Sequence, residues 1–182
     1  MMSYMNKFII IILLLSFSLI SKSQNSLFKK IKDNPLIGIG SKVPDWRSKH
    51  IANAAILTPD ETSDGTWRIY VRGNETAGGQ IGILTQDSSD FSPYGPWEEY
   101  ENNPVIRFGP SGSYDDKGLL DCAPVVGENG KVFFYYKAKS FDGSRHVAGA
   151  QSDDGGYTFQ KFQTNPLLTS AGINDVVYHN DQ

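Results

Sequence analysis

The sequence predicts an all-β chain of repeated sheets, arranged as an incomplete β-propeller. Three observations carry that reading. A short phrase recurs as Asn34-Pro35-Leu36-Ile37, Asn103-Pro104-Val105-Ile106 and Asn165-Pro166-Leu167-Leu168, at spacings of 69 and 62 residues. Between successive copies lies the same series of strand-like runs, and no segment after the leader keeps helical periodicity over about 11 residues. Glycine at 18 residues and aromatics at 12% suit a turn-rich β protein. Repeats of this length with β-type contents point to sheets set around an axis.

The first element is a leader. Lys7 precedes the apolar run Phe8 to Leu15, and a softer stretch ends in Ser21-Lys22-Ser23-Gln24. A basic residue, a short apolar core and small residues before a cleavage point make residues 1–23 a secretory signal peptide, too short to span a bilayer comfortably. No cysteine follows the run to take a bacterial lipid anchor, so the expected location is secreted or periplasmic, with no stable membrane insertion after cleavage. Residues 24–33 form a lead-in, and residues 34–182 the partial propeller.

The first repeat reads as four strands. Residues 52–57 are a buried inner strand, 67–72 alternate as a second, 80–85 form the third, and 97–100 a short outer edge. The second repeat follows the same plan, with an inner strand at 121–126 and the hairpin signal Asn129-Gly130. A central strand at 131–138, a third strand at 146–151 and an outer strand at 158–162 complete it. A third repeat opens at 173–178. Blades of about 60–70 residues require roughly 300 residues or more for a closed ring of five. The sequence therefore holds about two blades and the first strand of a third. Two open blades would expose unpaired sheet edges, so the expectation is an N-terminal piece of a longer protein rather than a chain completed by a partner.

Charge excludes one class of partner. Setting aside Lys7 and Lys22 of the leader leaves 15 basic against 20 acidic side chains. With no basic run, nothing supports nucleic-acid binding, which rests on clustered Lys and Arg. Cys122 is the only cysteine, so no internal disulfide forms, and its apolar neighbours predict a buried, inert thiol. His50, His146 and His179 are dispersed, with no pair at ligand spacing. No metal site and no cofactor are predicted.

The sharpest motif is Ser152-Asp153-Asp154-Gly155-Gly156-Tyr157-Thr158-Phe159, an Asp box with Phe in place of the usual Trp. Its physics is structural: the carboxylate accepts backbone N–H groups in a tight turn, glycine permits positive φ, and the aromatic packs between sheets. Thr85 to Phe91 holds a degraded form at the same place in the first repeat.

Taken together, Asn103-Pro104-Val105-Ile106, Gly112-Ser113-Tyr114-Asp115, the Pro124-Val125-Val126 strand, the Lys131 to Tyr136 strand and Ala150 to Gly155 resemble the five-bladed β-propeller glycosidases. These are the arabinanase, xylosidase, levanase and invertase group, glycoside hydrolase families 43 and 32 and their relatives. The likeness covers residues 34–178. It implies a carbohydrate substrate and a carboxylate acid/base mechanism at the propeller mouth, with one acidic residue from each of the first three blades. Where that group places Asp before Pro on the first two inner strands, this chain reads Ala54-Ala55 and Ala123-Pro124.

The nearest polar groups become the candidates. Asp121 begins a very apolar strand, where an unpaired carboxylate is costly, so a polar cavity or a partner should adjoin it. A turn-capping acid is the alternative. Asp175, at the start of the third inner strand beside Asn174, follows the same logic, and these two are the expected catalytic residues. Asn53, Arg72, Trp46 and Asp115 are the expected substrate-binding residues. Arg72 can bind an acidic sugar group bidentately, or make a surface ion pair. Trp46 can stack on a sugar ring, or simply pack. Asp115, with Asp116, can line the mouth, or be a solvated loop acid. The leading function is an exported glycoside hydrolase; the alternatives are a sialidase-like Asp-box propeller and a non-catalytic carbohydrate-binding propeller.

Overall fold

The computed structural model describes residues 32, 34–40, 42–74, 78–173 and 176. The expected leader, Asn174, Asp175 and most of the expected third-repeat strand lie outside the described residues. The chain divides into two compact units, Met1–Asn34 and Pro35–Gln182, and the sheets belong to the second. Among the described residues no helix is long and apolar enough to cross a membrane.

The first sheet holds β1 (His50–Leu57), β2 (Thr66–Asn74), β3 (Gln80–Asp87) and β4 (Glu98–Glu99), antiparallel and in sequence order. The second has an inner strand split into β5 (Gly118–Leu119) and β6 (Ala123–Val126), both paired with β7 (Val132–Lys139). Next comes β8 (Arg145–Ser152), flanked by β9 (Gln160–Lys161) and β10 (Leu168–Thr169). These are two blades of a propeller. The β6–β7 hairpin turns at Asn129 and Gly130, whose φ values of 59° and 71° are the left-handed pair that an Asn-Gly turn supplies.

The second and third copies of the Asn-Pro phrase act as strand clamps. Asn103 Nδ2 donates to Ile83 O at 2.8 Å, and its Oδ1 accepts from Ile83 N at 2.8 Å. Asn165 does the same to Gly149, at 2.7 and 2.9 Å. A side-chain amide can mimic one peptide unit of a neighbouring strand, and here it seats the departing chain against the third strand of each blade. Backbone pairing continues directly, with Val105 N on Ile81 O and Leu167 N on Val147 O, both at 2.8 Å.

These clamps fix which positions are equivalent. Ile83 and Gly149 face Tyr70 and Tyr135, which in turn face Ala55 and Ala123. Counting outward, Arg72 corresponds to Lys137 and Asn53 to Asp121.

Alternation sets the packing. Val132, Phe134, Tyr136 and Ala138 of β7 are buried while their neighbours are half-buried. Those four join Leu57, Tyr70, Ile81 and Ile83 of the first blade in one apolar cluster, so the two sheets stack face to face. The opposite face of the first blade is closed by Trp46, whose indole lies so close that a Cβ on Gly82 would sit 2.3 Å from it.

Polar groups join the blades at the Asp-box end. The fully buried Arg68 guanidinium donates to Gly155 O, pairs with Asp64 at 2.8 Å and lies 4.1 Å from the Tyr157 ring centroid. Tyr70 OH donates to Gly156 O at 2.9 Å, and Tyr157 OH to Asp64 Oδ2 at 2.6 Å.

Candidate functional site

Both inner strands break their ladder at the same place. In β1 the register shifts between Ala52 and Ala55, and Asn53 takes φ 52°, a conformation Asn tolerates better than most residues. In the second blade the break falls at residues 120–122, with Leu120 N still bonded to Lys137 O at 2.8 Å. Bulges re-aim side chains. Here the two re-aimed groups meet: Asn53 Nδ2 donates to Asp121 Oδ1 at 2.8 Å and to Leu120 O at 3.0 Å. Residues 68 apart in sequence are thereby joined across the blades.

Asp121 carries a second anchor. Its Oδ2 is ion-paired with Lys137 Nζ, and the two side chains are 20% and 19% exposed. The carboxylate is thus oriented and charge-compensated, with Oδ2 buried against Lys137 and Oδ1 held by Asn53. Arg72, the counterpart of Lys137, donates from Nη2 to His50 Nδ1 at 3.1 Å. A guanidinium can only donate, so His50 accepts at Nδ1 and carries its proton on Nε2. The Arg72 stem packs against Gly79, where an added Cβ would stand 2.9 Å from Cδ. Beside Asn53 opens a shallow cavity of about 210 Å³, lined by Ile37, Ile51, Ala52, Ala54 and Val71.

Cys122, next to Asp121, is buried. Burial first, and then the Asp121 charge, push its thiol far above the usual range, with Arg72 opposing, so it stays protonated and inert. Among the described residues no group of three or more His, Cys, Asp or Glu is placed to hold a metal ion.

Of the expected site residues, Asn53 and Asp121 are brought together and Arg72 lies on the strand beside them. Trp46 is not available to a sugar. It is 6% exposed, packs on Gly73 and Gly82, and donates from Nε1 to Glu99 Oε1 at 2.7 Å, so its role is to seal the first blade. Asp115 does not line a mouth either. It is 1% exposed, ion-paired with Lys161 and bonded by Ser113 Oγ at 3.0 Å, a buried acid that ties a loop to the second blade. Asp116 accepts from Gly112 N and Phe141 N, both at 2.7 Å, and fixes that loop. Asp175 lies outside the described residues. Lys137 and His50 went unselected in the sequence. Lys137 was findable, because Tyr70-Val71-Arg72 and Tyr135-Tyr136-Lys137 each place a cation two residues after an equivalent tyrosine.

The Asp box behaves as a turn lock. Asp154 Oδ1 accepts from Ser152 Oγ, Tyr157 N and Thr158 N at 2.5, 3.0 and 2.9 Å, and Oδ2 from Thr158 Oγ1 at 2.6 Å. Partial burial pushes this carboxyl up, but those bonds more than offset it and bring it down to about 2. Phe159 fills the usual tryptophan place, edge-on to Tyr70 and Phe134.

No protein-family model and no curated protein matches the chain. Solved structures do. A family 117 glycoside hydrolase from the marine bacterium Zobellia galactanivorans aligns at a TM-score of 0.59 with 27% identity, covering 74% of this chain and 38% of its own. A fructofuranosidase from Schwanniomyces occidentalis, solved with fructose, aligns at 0.48 with 21% identity, over 65% of this chain and 24% of its own. The chain thus spans under two-fifths of the length of that family 117 structure. Its two described sheets are adjoining blades of a β-propeller, and the chain resembles the propeller glycosidases.

Proposed function

We propose that this protein is an exported glycoside hydrolase that cleaves a polysaccharide or oligosaccharide by carboxylate acid/base chemistry at the end of the blades where Asn53 and Asp121 meet. The observation that supports this most is that convergence: two inner strands break their ladders at equivalent positions and aim a carboxylate and an amide at one point. The likeness to a family 117 glycoside hydrolase supports the reaction class.

Glycoside cleavage requires a proton donor and a facing carboxylate. Asp121, held against Lys137, is suited to the ionised role: base, nucleophile, or stabiliser of the positive charge that develops on the sugar ring. Asn53 orients it and offers its amide to a hydroxyl. The donor is assigned to Asp175 on sequence grounds, and residues 1–23 are assigned to export. The Asp box adds nothing to a sialidase reading, since its carboxylate is spent on its own turn.

One observation favours a second reading. A carboxylate already neutralised by Lys137 serves binding as well as catalysis, as a non-catalytic carbohydrate-binding propeller would use it.

Reducing-end release from arabino-, xylo-, fructo- and sialo-oligosaccharides separates the two. Hydrolysis of one class is expected, and Asp121→Asn should lower it by about 10²- to 10⁴-fold while the protein stays folded by circular dichroism. Binding without hydrolysis selects the second reading. Full activity in Asp121→Asn removes Asp121 from the mechanism.

A further inference from the structure

Arg72 and Lys137 occupy the same position in their two blades, two residues past the equivalent tyrosines Tyr70 and Tyr135. Their surroundings differ by one carboxylate. In the second blade the bulge residue is Asp121, which takes the Lys137 charge. In the first blade the bulge residue is Asn53, which is neutral and is itself spent on Asp121 and Leu120 O. Arg72 therefore keeps its charge. Among the described residues no carboxylate lies within ion-pair distance of it, and its one side-chain partner is His50. That partner brings no negative charge and so compensates none. The Arg72 Nε is buried without a hydrogen-bond partner, and the stem is held against Gly79. A half-buried guanidinium with a fixed stem and no counter-charge is costly to keep, and an incoming anion relieves that cost.

We propose that Arg72 and His50 form a subsite for an acidic group on the sugar substrate, a uronate carboxylate or a sulfate ester. Arg72 presents the free end of its guanidinium to the oxyanion, and His50 offers Nε2–H as a second donor. Asn53 and Asp121, on the neighbouring bulges, face the uncharged part of the same sugar chain. This rests on the carbohydrate reading of the site and deepens it.

The test measures affinity by calorimetry for three probes: trigalacturonate, galactose 6-sulfate and neutral galactotriose. The protein should favour at least one acidic probe over galactotriose by about tenfold, the scale of one charge-assisted contact. The preference should shrink as salt rises. Trigalacturonate against galactose 6-sulfate then tells carboxylate from sulfate. Arg72→Gln should bring the acid-to-neutral ratio toward one. Arg72→Lys, which keeps the charge but not the forked donors, should retain part of the preference, and it guards against misfolding of the first variant. Equal binding of acidic and neutral probes, or a preference that Arg72→Gln leaves intact, overturns the subsite alone. Failure to bind any of the three overturns the subsite; the carbohydrate reading falls only if the arabino-, xylo-, fructo- and sialo-oligosaccharides are neither bound nor cleaved.

Discussion

In the second blade, Ser152 and Asp154 close the turn after the third strand, with Gly156 N on Ser152 Oγ at 2.7 Å and two further backbone N–H groups on the Asp154 carboxylate. In the first blade Gln86 stands where Ser152 does. Its longer side chain reaches Ser92 N at 2.8 Å and Pro96 O at 2.7 Å, closing a wider turn that Asp87 and Ser89 trim. Phe91 of that turn stacks on Trp67 at 4.4 Å, on the outside of the blade, whereas Phe159 of the Asp box enters the core between blades. At the opposite end of the sheets the difference is electrical. Asp121 and Lys137 cancel, while Asn53 and Arg72 leave one positive charge. The comparison teaches that the clamps by Asn103 and Asn165 carry the blade, and that turns and bulges are free to diverge around them.

The largest expected effect strikes the joint between the blades. Arg68→Met removes a buried cation from Asp64, Gly155 O and the Tyr157 ring at once, and should cost about 3 kcal/mol in urea unfolding. If the loss is below about 1 kcal/mol, the blades are held by their apolar faces alone. Next come the clamps. Asn103→Ala and Asn165→Ala each strand a backbone N–H and C=O on the third strand, and each should cost about 2 kcal/mol. Equal losses sharpen the equivalence of the two blades, and a marked inequality breaks it.

The smallest effect is in the turns. Asp154 is lowered to about 2 from 3.8, so its contribution is present above the higher value and fades as pH falls from about 4 toward 2. At this exposed turn, solvent screening holds the effect to about 1 kcal/mol. Stability measured against pH for wild type and Asp154→Ala should converge at the acid end. Divergence there contradicts the turn-lock role.

The repeat, the Asn129-Gly130 hairpin and the structural Asp box were legible in the sequence because each is local or recurs. The clamp itself was legible as a phrase but not as a mechanism, since its partners Ile83 and Gly149 lie 20 and 16 residues away. Trp46 and Asp115 show where local reading fails. A tryptophan near an inner strand serves a sugar or a core equally well until Gly73 and Gly82 are seen beneath it. An acid in a Gly-Ser-Tyr-Asp loop looks solvated until Lys161, 46 residues on, closes over it. Asp121 was found because an acid at the head of an apolar strand needs company; that the company would be Asn53 and Lys137 required the bulges.

The central claim is that the meeting point of the two bulges is where carbohydrate binds. Amide chemical shifts of the isotope-labelled protein, followed during titration with arabino-, xylo-, fructo- and galacturono-oligosaccharides, test it most directly. Perturbations from the bound sugar should centre on Asn53, Arg72, Asp121 and Lys137, and Asp121→Ala should abolish them. Shifts centred instead on Gln151 to Thr164, or on the groove between Glu98 and Tyr157, would contradict the account.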